Sequence, residues 1–467
     1  MSAKRAEFDL LIGCHGDAGG WGGAALAALE LARACRAAGW RPLLLGMGTS
    51  QPAQDDATDV PRHNVDISPR GGWWRLHQWH TPHVLARALR QFPRPAEFVS
   101  FSPFWTVAAR RVWPDLPVIA RYCGLLHHAA DRVHKLNGRP LGFWERINHL
   151  GVIAVERRAL RVANVVLASS PEHIIEIMAF EPRAAERIKE VPDGCTRFEP
   201  TDAARTELRR RLGLTDADFA ILLCGSCDAN KAFDHAIAQM PRVAPSGRLL
   251  IVGDGPTRAA LERLTAELNL TTRVYFLGRV PDLAAVYAAA DCVASTSFYD
   301  TFPNVIKEAM WSGRPVLVPE HDPPEVSAGI SGLIRRHGGG LLYDRRRDGS
   351  MAEVINELMR NPHLARQLGR QAAETARSRF DWQNTVNEIG NATMRRRSCA
   401  TPSAGADAAG PSTSEIRSAP PPRNLPCDRH GLAECAATPP DRAASTDDNP
   451  AACEAAAACD AGHERRP

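Results

Sequence analysis

Asp300 and Glu308 stand eight residues apart in "SFYDTFPNVIKEAMWSGRPVLV" (297–318), the first opening a Thr-Phe-Pro-Asn loop and the second inside the helical stretch that follows. Taken alone, acids so placed are most often solvated surface charges. Four more stretches give them weight. Gly19-Gly20-Trp21-Gly22-Gly23 precedes a helical pattern, where bare backbone N–H groups can approach an anion and the helix dipole favours it. Lys231 follows an apolar run ending at Gly225, "GDGP" (253–256) closes a second run, and "GRV" (278–280) a third. Glycines also serve tight packing, so no single one of these decides anything. Their order and common setting do, because ligands of open α/β sheets sit outside the carboxyl ends of the strands.

The elements that must position these residues are legible as alternating apolar runs and helical patterns. "FDLLIGC" (8–14), the glycine loop, "AALAALELARACRAAGW" and "RPLLLGMG" read as strand, loop, helix, strand, a βαβ unit. Residues 49–66 are polar and read as loop. "AEFVSFS", "LPVIARYCG" and "ANVVLASS" read as further strands, with a helix over 143–163. "KEVPDGCTRFEP" (189–200) closes this first pattern. It then restarts with five near-continuously apolar strands, in "DFAILLCGS", "GRLLIVGDGP", "RVYFLGRV", "DCVASTS" and "RPVLVPE". Strands buried on both faces and separated by helices predict an α/β protein with two doubly wound parallel sheets and a crevice between them.

A chain of 467 residues exceeds one hydrophobic core. Its 44% hydrophobic and 24% charged residues are those of a soluble globular protein, and a net charge of +4 is small for a nucleic-acid binder. No apolar run reaches spanning length and the N-terminus does not read as a signal peptide, so the expectation is a cytoplasmic protein. From residue 398 the composition collapses to Ala, Pro, Ser and Thr, with six Arg against ten Asp/Glu, a net of −4 that leaves +8 on the remainder. Such a segment reads as a disordered tail. Twelve cysteines are scattered; only "CGSC" (Cys224 to Cys227) has redox or metal spacing, and a strand cysteine followed by a loop cysteine is the better reading.

"LLIVGDGP", "VYFLGRVPDLAAVYAAADCVASTSFYDTFPNVIKEAMWSGRPVLVP" and "VPDGCTRFEP" resemble the retaining glycosyltransferases of family 4. The resemblance runs over roughly residues 8–390 and is strongest over 247–320. It implies a GT-B fold of two facing Rossmann-like domains: an acceptor-binding domain over 1–197, a nucleotide-sugar-binding domain over 198–375, a helix over 376–397 returning toward the first domain, and the tail over 398–467. The opening segment is similar to that family's E-x7-E motif, here D-x7-E. By position, Asp300 would accept hydrogen bonds from the donor sugar and Glu308 would hold the ribose. Phe302 and Asn304 would offer backbone N–H groups to the diphosphate, which Pro303 cannot. Lys231 would neutralise the leaving diphosphate, Gly278 and Val280 would lie near the base, and Gly22 and Gly23 would face the phosphates from the other domain.

Three positions depart from the family. Asp300 replaces the usual Glu and is one methylene shorter. Ser226, carried here as a donor-side residue, stands where an arginine is usual, which removes one cation from the diphosphate. Tyr122 and Cys123 stand near the usual histidine, with His127 and His128 four or five residues beyond. The implied partners are a nucleotide-diphosphate sugar as substrate and a glycan, lipid-linked or small-molecule acceptor. No cofactor or metal is implied, no nucleic acid, and a peripheral membrane contact is compatible with the sequence. Competing readings are a non-catalytic nucleotide-sugar-binding scaffold, a GT-B-like epimerase or phosphorylase, and a dinucleotide dehydrogenase, for which "GGWGG" lacks a spaced G-x-G-x-x-G. Eight of the ten tryptophans lie before residue 150, Trp73, Trp74 and Trp79 among them, and read as packing residues or as an aromatic platform for an acceptor.

Overall fold

Short strands of three to six residues, most of them apolar and bounded by glycine or polar turns, build both sheets of the computed structural model, which describes residues 8–18, 23–49, 60–68, 76–128, 141–320 and 329–399, with side chains to residue 392. The first half runs β1 (Leu10–Gly13), α1 (Gly23–Ala37), β2 (Pro42–Met47), β3 (Arg62–Val65), α2 (His77–Leu89), β4 (Glu97–Ser100), α3 (Pro103–Val112), β5 (Val118–Arg121), α4 (Phe143–Val162), β6 (Val165–Ala168), α5 (Pro171–Phe180) and β7 (Ile188–Glu190). Its seven strands are ordered β3-β2-β1-β4-β5-β6-β7, all parallel. Helices cover both faces, so β1, β4 and β5 are buried along their whole length.

The second half runs α6 (Asp202–Arg211), β8 (Phe219–Cys224), α7 (Phe233–Gln239), β9 (Gly247–Val252), α8 (Arg258–Glu267), β10 (Val274–Gly278), α9 (Leu283–Ala289), β11 (Cys292–Ala294), α10 (Asn304–Trp311), β12 (Val316–Pro319), α11 (Gly329–His337), β13 (Gly340–Tyr343), α12 (Ser350–Arg360) and α13 (Pro362–Arg379), and α14 (Trp382–Cys399) ends the described chain. The sheet order is β10-β9-β8-β11-β12-β13, again parallel. Both sheets therefore reverse direction once, between β1 and β4 and between β8 and β11. Those two switch points are where the crevice of a doubly wound fold opens.

Three strands escape the apolar pattern, among them Ile188–Glu190, a three-residue edge strand paired with β6 at the turn expected to close the first half. Arg62–Val65 falls in the stretch expected to be loop, yet it pairs with β2 through Leu44↔Arg62 to Met47↔Val65. It is an edge strand, held on one side only, and buried Asn64 accepts a hydrogen bond from the Ala18 amide at 2.9 Å. An edge strand does not need apolar residues on both faces. Gly340–Tyr343, a sixth strand beyond the five expected, is four residues long and hidden behind Gly338 and Gly339. The expectation of a disordered tail falls outside the described residues from 400 onward.

Two packing features fix the second half. Arg205, Arg209 and Arg314 converge on the carbonyls of Ala288, Ala289 and Ala290 and on the Asp291 carboxylate. Three guanidiniums thus cap the negative end of α9 and satisfy its last carbonyls. Helix α14 crosses back to the first sheet, where Trp382, Val386 and Ile389 pack with Leu10, Ile12 and the buried face of α1. Gly194 makes room for it: a Cβ there would lie 2.4 Å from Trp382 Cγ.

Candidate active site

The loop leaving β8 carries Lys231, and the loop leaving β11 carries Asp300. Because β8 and β11 are neighbours at the switch point, their loops meet, and Lys231 Nζ donates to Asp300 Oδ2 at 2.6 Å. The Lys231 backbone is held from three sides. Its amide donates to Asp228 Oδ1 at 2.9 Å, its carbonyl accepts from Thr296 Oγ1 at 2.6 Å, and Ala232 after it is held at φ 49°. A left-handed alanine is strained, and it stands at the N-cap of α7, directly after the lysine. Burial pulls the ammonium's pKa down, but Asp300 outweighs it and leaves the pKa above its ordinary value.

Strand ends on the same side step together through glycine. Gly253 donates its amide to the Gly278 carbonyl at 2.7 Å, and a Cβ on Gly253 would lie 1.8 Å from the Gly225 carbonyl oxygen. Gly253 sits at φ 127°, so glycine is required both by conformation and by contact. Gly278, the last residue of β10, lies close under the Arg258 guanidinium, while Val280 packs partly buried on the core. Ser226 is exposed, its carbonyl accepting from the Asp228 amide at 2.9 Å.

Glu308 lies in the second turn of α10, where Tyr287 Oη donates to its Oε2 at 2.7 Å. Burial raises its carboxyl pKa, with the Tyr287 hydrogen bond and the Lys307 charge opposing. Cys224, the last residue of β8, feels both Glu308 and Lys231; burial pushes its thiol up to about 12. In the first turn of α10 the amides of Asn304 and Val305 have no acceptor within the helix. Asn304 Nδ2 donates to the Gly23 carbonyl at 3.3 Å, which sets the N-terminus of α1 beside that of α10. Phe302 is a core residue in edge contact with Phe380, so only its backbone is available to a ligand. The structure thus brings together Lys231, Asp300, Glu308, Asn304 and Gly23. Gly22 lies outside the described residues, as do Trp73 and Trp74. Trp79 is a packing residue in part, lying against Gly151 and donating to the Ile147 carbonyl at 2.9 Å.

On the first-sheet side, His127 and His128 are both committed to carboxylates: His127 Nδ1 lies 2.7 Å from Glu156 and His128 Nδ1 2.5 Å from Glu176. Cys123, nearer the end of β5, is exposed along its chain, yet its thiol pKa is pushed up to about 12 by desolvation. Arg121, closing β5, forms a fully buried ion pair with Asp193 and also donates to the Val191 carbonyl. Neither this pair nor Tyr287 was evident from the motifs. The available signal for the pair was a charge at the end of an apolar strand and the Asp-Gly turn of "VPDGC".

A small pocket lies at the site, lined by Cys224, Lys231, Ser295, Thr296, Pro303 and Val305 among others. A larger depression of about 240 Å³, with Asp291, Arg314 and Arg366 on its walls, opens at the amino ends of the strands. The convergence of the functional side chains and the switch-point geometry favour the smaller one. Among the described residues no group of three or more His, Cys, Asp or Glu could hold a metal ion. Cys224 and Cys227 are both free thiols.

Comparison with known proteins agrees with this fold. The fold is GT-B, two Rossmann-like domains. Sucrose-phosphate synthase from Thermosynechococcus elongatus superposes with a TM-score of 0.66 at 20% identity, over 84% of this chain and 100% of that one. HepE from Anabaena, crystallised with UDP and glucose, gives 0.64 at 20% identity over 83% and 99%. Residues 218–361 match the family model described as Glycosyl transferases group 1. Similar curated proteins include 2-deoxystreptamine glucosyltransferase of Streptomyces kanamyceticus, 33% identical over 43% of this chain and 54% of that one. Another is D-inositol 3-phosphate glycosyltransferase of Nocardia farcinica, 31% identical over 50% and 53%. The chain spans about half the length of these relatives.

Proposed function

We propose that the chain is a retaining, metal-independent glycosyltransferase of family 4 that moves a sugar from a nucleotide-diphosphate donor to an acceptor hydroxyl. The observation that carries this reading is the meeting of Lys231, Asp300 and the N-termini of α1 and α10 at one switch point. In this reading Glu308, its Oε2 already engaged by Tyr287, accepts from the ribose hydroxyls, and the base lies over Gly278 and Val280. The diphosphate lies against the open amides of α10 and the α1 terminus, with Ser226 beside it. As the C1–O bond breaks toward an oxocarbenium-like state, negative charge grows on the diphosphate, and Lys231 with those amides stabilises it. Asp300 accepts from the sugar hydroxyls. The acceptor hydroxyl attacks from the face the leaving group vacates, and its proton passes to a phosphate oxygen, which accounts for retention without a protein base.

The proposed acceptor is a glycan, lipid-linked or small-molecule hydroxyl bound on the first-lobe side. The free thiols fit a reducing cytoplasm. No described helix is long and apolar enough to cross a membrane. The test is a calorimetric screen of nucleotide sugars followed by donor turnover, with the anomeric configuration of the product read by NMR. Binding without any turnover would make the protein a nucleotide-sugar scaffold, and an inverted product would remove the front-face mechanism.

A further inference from the structure

The segment carrying the two acids also touches the first lobe. Tyr299 Oη donates to the Leu125 carbonyl at 3.3 Å, Thr301 Oγ1 to the Cys123 carbonyl, Asn304 Nδ2 to the Gly23 carbonyl at 3.3 Å and Lys307 Nζ to the Gly194 carbonyl at 3.2 Å. Every acceptor is a backbone oxygen. Gly124, at φ 141°, lies beneath two of the donors: a Cβ there would stand 2.8 Å from Tyr299 Oη and 3.0 Å from Thr301 Cγ2. From its own lobe the loop is held by Asn230, which accepts from the Tyr299 amide at 3.1 Å and donates to the Tyr299 carbonyl at 2.9 Å. Three consecutive side chains therefore tie the lobes together: Tyr299 and Thr301 reach the first, while Asp300 between them reaches back to Lys231 in the second.

We infer that Tyr299 and Thr301 are positioning residues that clasp the Asp300 loop to the turn at 123–125, so that Asp300 is set toward the donor sugar by closure of the two lobes. The assignment rests on Asp300 being the sugar-facing acid. Without the clasp the loop is held by Asn230 and by the Lys231 contact, which a donor displaces on the proposed function, so the carboxylate is free to swing, and displacement of a contact by about 1 Å costs on the order of a hundredfold in rate. The clasp couples lobe closure to donor geometry, so a donor bound to an open molecule is poorly placed for transfer.

The test uses the full chain carrying Thr301→Val, Thr301→Ser, Tyr299→Phe and the Val/Phe double substitution, each checked by thermal melt. Hydrogen exchange of the peptides around 122–126 and 297–303, measured without donor, should quicken by about tenfold or more in the double variant and stay at the wild-type rate in Thr301→Ser. With a donor that the wild type turns over, the double variant should lose about ten- to a hundredfold in turnover number, while its affinity for the matching nucleoside diphosphate alone changes less than about threefold. The serine variant should keep its turnover. Unchanged exchange, equal behaviour of the valine and serine variants, or a loss of diphosphate affinity as large as the loss of turnover would each overturn the clasp. If the wild type transfers no sugar at all, the proposed function falls, and the donor-free exchange measurement still decides whether the clasp exists.

Discussion

Lys231 Nζ and Asp300 Oδ2 stand 2.6 Å apart, an ion pair whose two side chains each retain 23% exposure. The groups assigned to the leaving diphosphate and to the sugar hold one another in the free protein. On the proposed function a donor exchanges this contact for its own: the diphosphate would take the ammonium, and Asp300 would be released to the sugar hydroxyls.

Lys231→Ala is expected to lower the turnover number about a hundredfold or more, as loss of one transition-state donor does, and to weaken nucleoside-diphosphate binding less. Steady-state kinetics beside calorimetry separates the two. A variant with wild-type turnover and altered affinity would remove Lys231 from the chemistry.

Asp300→Asn keeps the size of the side chain and loses the charge that strengthens hydrogen bonds from sugar hydroxyls. Severe loss of transfer with retained nucleotide binding is the expected result. Asp300→Glu adds a methylene beside Lys231 and should also lose activity on the native donor. Wild-type rates in both variants would mean that Asp300 does not touch the sugar.

Glu308→Gln should abolish nucleotide-sugar binding, since charge-assisted hydrogen bonds to a ribose are worth about 1.5–3 kcal/mol each. The same variant should melt at or above the wild type near neutral pH. Glu308 is raised above its ordinary 4.5 in the folded chain, so its ionisation opposes folding above the folded-state value. The advantage of glutamine should fade as pH falls from that value and be gone below the ordinary one. Thermal melts across that window, without ligand, are the measurement.

Asp193→Ala leaves the Arg121 guanidinium buried and unpaired, and a loss of about 3–5 kcal/mol in chemical denaturation is expected. Removing both charges, as in Arg121→Met with Asp193→Leu, should cost less than the single change. A double variant less stable than the single one would show that the pair does more than cancel buried charge.

The strand ends were legible because each apolar run stops at glycine or a polar turn, and parallel strands place those stops along one side of the sheet. Lys231, Asp300 and Glu308 could be named for that reason. Arg62–Val65 could not be seen, because an edge strand satisfies half its backbone and needs no apolar pattern. Gly340–Tyr343 was too short to stand out from its glycines. The Lys231–Asp300 pair joins residues 69 positions apart, and the Tyr299 and Thr301 contacts span 174 and 178. Their acceptors on the first lobe are main-chain carbonyls, which leave no mark on residue type. Composition reveals a partner only when the partner is a side chain.

The return of α14 to the first lobe bears on how such proteins can be recombined. Trp382 seats on Gly194 and Ile389 is fully buried against the first sheet's cluster, so that lobe is completed by the far end of the described chain. A chimera made with a single crossover between β7 and α6 would bring a foreign terminal helix onto a surface cut for this one. Two crossovers, the second between α13 and α14, would keep the helix with the sheet it covers. On the proposed function, donor specificity would then be exchangeable as a cassette from α6 to α13, carrying Lys231, Asp300 and Glu308 together and leaving the proposed acceptor lobe intact.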